Sequence, residues 1–184
     1  MTKLNIQLAC QALKQGNIIA YPTEAVWGLG CDPYNEMAVN KILRVKGRSI
    51  NKGLILIGGS VDQFEPLLSG LGIEHRDTLD ASWPGHVTWL VPDPDHLIPQ
   101  WIKGSHQSVA IRVSAHPVVQ KLCATFAGPL VSTSANVAGE EEIRSRIILE
   151  DKFADKIACI VDGGLGQAAK PSEMRDLLSG RVIR

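Results

Sequence analysis

The chain has 184 residues, 45% of them hydrophobic and 21% charged, a composition and length that suit one globular domain. Nineteen Lys and Arg balance nineteen Asp and Glu, which excludes a uniformly basic coat for nucleic acid or a membrane surface but not a local patch. No run approaches the ~20 apolar residues of a membrane span, and the first residues, MTKLNIQLACQALKQ, lack the apolar core of a secretion signal, so a cytoplasmic protein without a membrane partner is expected.

Leu4, Leu8, Ala12 and Leu13 predict one face of a first helix, ended by Gly16. Ile18 to Tyr21 reads as a strand stopped by Pro22. Asn35 can cap a helix carrying Ala38, Ile42 and Val45. Leu54 to Ile57 is an apolar run bounded by glycines, the pattern of a buried strand. Ser60 and Gln63 form a capping box before Phe64, Leu67 and Leu68. Trp83-Pro84-Gly85 is a turn, and Val87 to Val91 a strand ended by Pro92. Val109 to Val113 is another strand, and Pro117 opens a helix bearing Val118, Leu122, Cys123 and Phe126. Leu130 to Ser132, Ile157 to Val161 and Arg181 to Arg184 complete the strands. Those between 87 and 113 follow one another without a helix, so a mixed sheet with helices packed on it fits better than strict βαβ alternation. No repeat and no Ser/Pro/Gly-rich linker divides the chain, so residues 1–184 are expected to form a single domain.

The four cysteines form no C-x-x-C pair, which points to reduced, buried thiols. His86, His96, His106 and His116 have no partner at zinc-ligand spacing, and no metal site is expected.

Charge is concentrated between Met37 and Val61. That segment holds Lys41, Arg44, Lys46, Arg48 and Lys52 and no acid. Lys41 and Arg44 belong on the outer face of a helix. Lys46, Arg48 and Lys52 lie beyond it, in a connection entering the Leu54 strand, where α/β sites form. A solvated basic helix end reads equally well. Ser132-Thr-Ser-Ala-Asn136 follows a short strand and offers hydroxyl, amide and backbone donors to an anion, or simply a turn with a helix cap. Thr23 and Glu24 sit past Pro22, and Gly28 and Gly30 permit close backbone approach. Arg112, within an apolar strand, needs a partner, either protein or an anionic ligand. No G-x-G-x-x-G, Walker sequence or nucleophile triad is present.

Several motifs together resemble the YrdC-like family of threonylcarbamoyl-AMP synthases in its short bacterial form. They are YPTEAVWGLGCDP (21–33), KGRSINKGLILI (46–57), WPGHVT (83–88), SVAIRV (108–113), HPVVQKLC (116–123), PLVSTSAN (129–136) and PSEMRD (171–176). The resemblance implies an α/β fold, a twisted open mixed β-sheet with flanking helices and a basic concave cavity. It implies that L-threonine, bicarbonate and ATP, with Mg²⁺, become threonylcarbamoyl-AMP and pyrophosphate for the t⁶A modification of tRNA, with TsaD, TsaB and TsaE as partners. Lys46, Arg48 and Lys52 match K-x-R-x-x-x-K, the implied catalytic and triphosphate-holding set. Ser134 and Asn136 match S-x-N, and with Ser108 and Arg184 fall where similar proteins hold ATP. Thr23, Arg112, Ser132 and Ser172 fall where they hold threonine, Arg112 on its carboxylate.

Two residues depart from the family pattern. Gly53 stands where proline is common, which predicts a looser loop. His86 also replaces proline and is either a local acid/base or a surface substitution, the latter favoured. Two other functions are consistent with the residues: an RNA-binding maturation factor using the same basic cavity on tRNA, ribosomal RNA or double-stranded RNA, and a binding domain without catalysis.

Overall fold

The structure is a computed structural model and describes residues 3–184, with side chains from residue 5 onward. In chain order its elements are α1 (Lys3–Lys14), β1 (Ile19–Pro22), β2 (Trp27–Gly30), α2 (Glu36–Lys46), β3 (Ile55–Gly58), α3 (Glu65–Leu68), α4 (Ile73–Asp80), β4 (Val87–Pro92), α5 (Gln100–Lys103), β5 (Ser108–Val113), α6 (Pro117–Phe126), β6 (Leu130–Ser134), α7 (Arg146–Phe153), β7 (Cys159–Ile160) and β8 (Glu173–Asp176). Short 3₁₀ turns at Ile50–Lys52 and Val61–Phe64 flank β3.

The described strands form one mixed sheet in the order β7, β1, β2, β6, β3, β5, β4, β8. The β1–β7, β3–β5 and β4–β8 pairs are parallel and the others antiparallel. The expected α/β fold, an open mixed sheet with flanking helices, is the fold observed.

Register divides the two faces. Leu56 pairs with Ile111 and Val131, and Trp89 pairs with Ile111, so these side chains share one face. They join the main core with Ala38, Val39, Ile42 and Leu43 of α2 and with Phe64, Leu67, Leu68 and Leu79. Ile57 aligns with Leu130 and Arg112 on the opposite face. There α1 and α6 cover Ile19, Tyr21, Ile57 and Leu130 in a second core. These two helices cover only part of that face. The uncovered part, toward β5, β4 and β8, is the floor of a cavity.

Several sequence expectations need correction. α1 buries Ala12 and Leu13 of the expected face, but Leu8 is 51% exposed, and the inward stripe is Ile6, Ala9, Cys10 and Leu13. Their i, i+3, i+4, i+7 spacing defines a stripe centred one residue-step away; Leu4 lies outside the described side chains. The Ser60 hydroxyl makes no cap bond. Gln63 instead accepts from Gly59 N–H and donates to the Cys123 carbonyl, linking β3 to α6. Arg181–Arg184 is not a strand but a return pairing through a single bridge, Val182 to Arg175, and the strand is β8. β2, α4, α5 and α7 were not foreseen. Asn35 does cap α2, accepting from Ala38 N–H at 3.1 Å.

Candidate active site

The cavity floor follows from strand alternation. Along β5, Ser108, Ala110 and Arg112 face the cavity, while Val109, Ile111 and Val113 enter the main core. Arg112 therefore has apolar neighbours in sequence but not in space. β6 adds Ser132 and Ser134, β2 adds Gly28, β4 adds Leu90 and β8 adds Met174. The cavity encloses about 440 Å³, within the ~300–1,000 Å³ of small-molecule sites.

Lys46, Arg48 and Lys52 line this cavity, as do Ser108, Ser134, Asn136 and Arg184. Thr23, Arg112, Ser132 and Ser172 line the same cavity. The cavity thus gathers every residue that the resemblance implied for the ATP and threonine sites, although they span most of the chain.

α2 delivers the first cation. Gly47 adopts φ +59° and ends the helix with its N–H on the Arg44 and Leu43 carbonyls. Lys46, in the last turn, is 3% exposed. Its ammonium donates to the Ser134 carbonyl, to the Asn136 carbonyl at 2.8 Å and to Asn136 Oδ1 at 2.9 Å. These bonds engage all three ammonium donors. The expected phosphate-holding lysine is therefore first the organiser of the 134–136 loop. Burial, and then Arg48, pulls its pKa down from 10.5 to about 8. Ser134 Oγ donates to Asn136 Oδ1 at 2.6 Å, and Asn136 Nδ2 to the Glu140 carbonyl at 2.7 Å.

Arg48 donates to the Gly53 carbonyl at 2.9 Å and so closes the loop that carries Lys52. Its own pKa is lowered, first by burial and then by Arg184 across the cavity. The Lys52 ammonium is exposed and has no partner among the described residues. Gly53 corrects the expectation of a looser loop. It sits at φ +61°, ψ 171°, and a Cβ there would lie 2.8 Å from the Lys103 carbonyl. Proline, fixed near φ −65°, cannot take this path. The chain is tight here: Leu54 N–H donates to the Ile102 carbonyl and Ser105 N–H to the Asn51 carbonyl. α5 behind it is anchored by Lys103 and Asp93, a 2.6 Å ion pair with both side chains 1% exposed. Asp93 also accepts from Leu97 and Ile98 N–H.

The other end of the cavity centres on Arg112, which is 6% exposed. Its partner is protein: Glu24 Oε2 lies 3.0 Å from Nη1. That contact is electrostatic, because Oε2 accepts no hydrogen bond among the described residues. Glu24 Oε1 accepts from Ser114 Oγ at 2.6 Å. Burial opposes ionisation of Glu24, but Arg112 and Ser114 prevail and its pKa falls below 4.5. Thr23 Oγ1 donates to the Val26 carbonyl at 2.7 Å, and Ser172 Oγ meets Thr88 Oγ1 at 2.8 Å.

His86 is not a surface substitution. It is half-buried, lines the cavity, and contacts Arg112 through Nδ1 at 3.0 Å and the Lys170 carbonyl through Nε2 at 2.7 Å. Sequence reasoning missed it because both contacts are remote in the chain. Gly30 admits the close approach expected of it: a Cβ there would lie 2.7 Å from the Val131 carbonyl and 2.6 Å from the Tyr21 ring.

Electrostatically, Lys103 and Arg112 have acidic partners, whereas Lys46, Arg48, Lys52 and Arg184 form no ion pair among the described residues. Glu142 is the acid in the lining. A cluster of cations without acidic partners, running from the buried Lys46 to the exposed Lys52 and Arg184, suits a polyanion of small-molecule size. No group of three His, Cys, Asp or Glu side chains in metal-ligating range occurs among the described residues.

Comparison with known proteins places these observations. The family model Sua5_yciO_yrdC, described as "Telomere recombination", matches residues 11–184. A threonylcarbamoyl-AMP synthase of Pseudomonas aeruginosa is 47% identical over 184 residues, covering 100% of this chain and 98% of that protein. The one from Stutzerimonas stutzeri is 50% identical over 179 residues, covering 97% and 96%. Among solved structures, P. abyssi Sua5 complexed with L-threonine superposes with a TM-score of 0.91 at 31% identity, over 100% of this chain and 54% of Sua5. The chain thus spans about half the length of that protein. E. coli YciO shares the fold, with a TM-score of 0.85 at 23% identity, over 99% of this chain and 88% of YciO.

Proposed function

The chain belongs to the Sua5, YciO and YrdC family, and from that premise we propose that its cavity makes threonylcarbamoyl-AMP and pyrophosphate from L-threonine, bicarbonate and ATP. The enzyme is a nucleotidyltransferase. The observation that carries this reading is the single cavity with unpaired cations at one end and a buried arginine at the other. Threonine's ammonium gives up a proton, and the resulting amine takes up the bicarbonate carbon as a carbamate with loss of water. A carbamate oxygen then attacks the α-phosphorus of ATP, and the bond to pyrophosphate breaks. The nucleophile comes from the substrate, so the protein positions and neutralises charge.

In this assignment Lys52, Arg48 and Arg184 face the triphosphate, with Lys52 the freest to move onto it. Lys46 acts through its charge and through the loop of Ser134 and Asn136, which with Ser108 receives the nucleotide. Arg112 takes the threonine carboxylate, and Thr23, Ser132 and Ser172 surround the rest of the amino acid. Mg²⁺ would enter with the substrate as Mg–ATP, held mainly by the phosphates.

The product is a reactive mixed anhydride that must be handed on. A tRNA and the transfer proteins TsaD, TsaB and TsaE are the receivers that fit, in the cytoplasm; no described helix is long and apolar enough to cross a membrane. The whole chain, residues 1–184, acts as one domain, a reading supported by the single sheet. A duplex RNA suits the cavity less well, because Lys46 is 3% exposed and lies beyond a polymer's reach.

The test is steady-state pyrophosphate release. Lys52→Ala should raise the KM for ATP and Arg112→Ala that for threonine, each by at least about tenfold, the scale of a lost charged contact. Near-normal values in both variants would overturn the site assignment. Tight RNA binding with steep salt dependence and no adenylate would favour the maturation-factor reading.

A further inference from the structure

His86 joins two parts of the cavity wall that are distant in sequence. Its Nε2 is 2.7 Å from the Lys170 carbonyl, which can only accept, so this nitrogen carries the proton. Arg112 Nη1, which can only donate, is 3.0 Å from Nδ1, so that nitrogen is bare. The two partners fix the neutral Nε2–H tautomer without reference to any titration.

Each partner leads to a different side of the amino-acid end. Arg112 is the carboxylate-binding candidate. Nη1 is held between His86 Nδ1 and Glu24 Oε2, and the guanidinium makes no other hydrogen bond among the described residues. Its remaining N–H groups are available to a ligand. Lys170 precedes Pro171 and Ser172, both in the cavity wall. The segment leading there is strapped over the β1–β2 turn: Gly166 N–H donates to the Thr23 carbonyl and Ala168 N–H to the Glu24 carbonyl. His86 ties the end of this strap to the arginine.

We infer that His86 is a positioning residue for threonine, holding the Arg112 guanidinium and the 170–172 segment in one fixed register. A guanidinium held on one nitrogen presents its other edge in a defined plane, which is what a bidentate carboxylate contact requires. The inference rests on Arg112 binding the carboxylate, and it places no proton transfer on His86.

Two single-contact variants separate the contacts. The Asn amide oxygen falls near the position of Nδ1, and the Gln amide nitrogen near that of Nε2. Initial rates of pyrophosphate release are measured with threonine and ATP varied in turn, for the parent chain, His86→Ala, His86→Asn, His86→Gln and Arg112→Gln. His86→Ala should raise the threonine KM about tenfold, the scale of one lost hydrogen bond to a charged group. The ATP KM and the kcat at saturating threonine should stay within about twofold. Asn and Gln should each recover part of the loss. Three results overturn the inference: a threonine KM within about twofold of the parent, threonine and ATP KM values rising together, or no recovery in either amide variant. If Arg112→Gln raises the threonine KM while His86→Ala does not, only the role of His86 falls. If Arg112→Gln leaves it unchanged, the carboxylate assignment falls and this inference with it.

Discussion

Two buried charges decide how the cavity responds to pH. Lys46 has a pKa of about 8 in the free protein. Its value is lowered, so the ammonium form is lost as pH rises through 8, and ATP affinity should fall over that range. Bound triphosphate favours the ammonium, so binding at pH 8 should take up as much as about half a proton per chain. Calorimetry in buffers of different ionisation enthalpy reads this uptake. Lys46→Met should abolish it; unchanged uptake would move the titration elsewhere. Glu24 works in the opposite sense. Its folded-state pKa lies below 4.5, so its pairing with Arg112 stabilises fully above that value and is lost as pH falls through the folded-state value. Glu24→Gln leaves Arg112 buried without its counter-charge. At pH 7 the loss should be about 3 kcal/mol, and denaturation curves below pH 4.5 should lose part of their acid dependence. A Gln variant as stable as the parent at pH 7 would show that the pair carries little. The basic run was visible in the sequence, and so was the need of Arg112 for a partner. Which protein groups meet it was not, because Glu24 and His86 reach it only after the sheet assembles.

Among the elements, the connection from α2 to β3 sets the cationic end of the cavity, to which the triphosphate is assigned in the proposal. Its order comes from backbone contacts with α5, from Arg48 on the Gly53 carbonyl, and from the left-handed φ at Gly53. Gly53→Ala should destabilise the chain by about 1–3 kcal/mol, because a Cβ strains a backbone position of this kind. It should also raise the KM for ATP more than that for threonine. An Ala variant with parental melting temperature and ATP KM would contradict this picture. Elements with strong local signals were readable: the Asn35 cap, the Pro117 helix start, and the apolar strands β3 and β5. Weaker ones were not. β2 is Trp27-Gly-Leu-Gly30, whose glycines mask its strand character. α4 presents a largely polar face, and in α7 only Leu149 and Phe153 are buried while Ile147 and Ile148 stay exposed, which blurs its helical period. α5 is a single turn held mainly by tertiary contacts. In α1 the expected stripe included Leu8, whereas packing against α6 buries Ile6 and Cys10 beside Ala12 and Leu13.

At the scale of the whole molecule, α1 and α6 cover part of one sheet face and leave the rest as a basin. Strand alternation turns Ser108, Arg112, Ser132 and Ser134 into it, while the loops after α2 and β6 bring in cations and amides. A neutral chain can therefore carry a cation-lined basin: its balancing acids lie largely outside it, including the exposed Glu140 and Glu141. The mixed sheet was legible from the crowding of strands without helices between them. Its strand order was not, since β7 and β8 are short and find their places only by pairing at opposite edges. The most direct test of the central claim is incubation with L-threonine, ¹³C-bicarbonate and Mg–ATP, followed by mass detection. A threonylcarbamoyl adenylate carrying the label, formed with an equal amount of pyrophosphate and only when all three substrates are present, is the expected result. Pyrophosphate released without threonine, or threonine and ATP bound with no labelled adenylate formed, would contradict it.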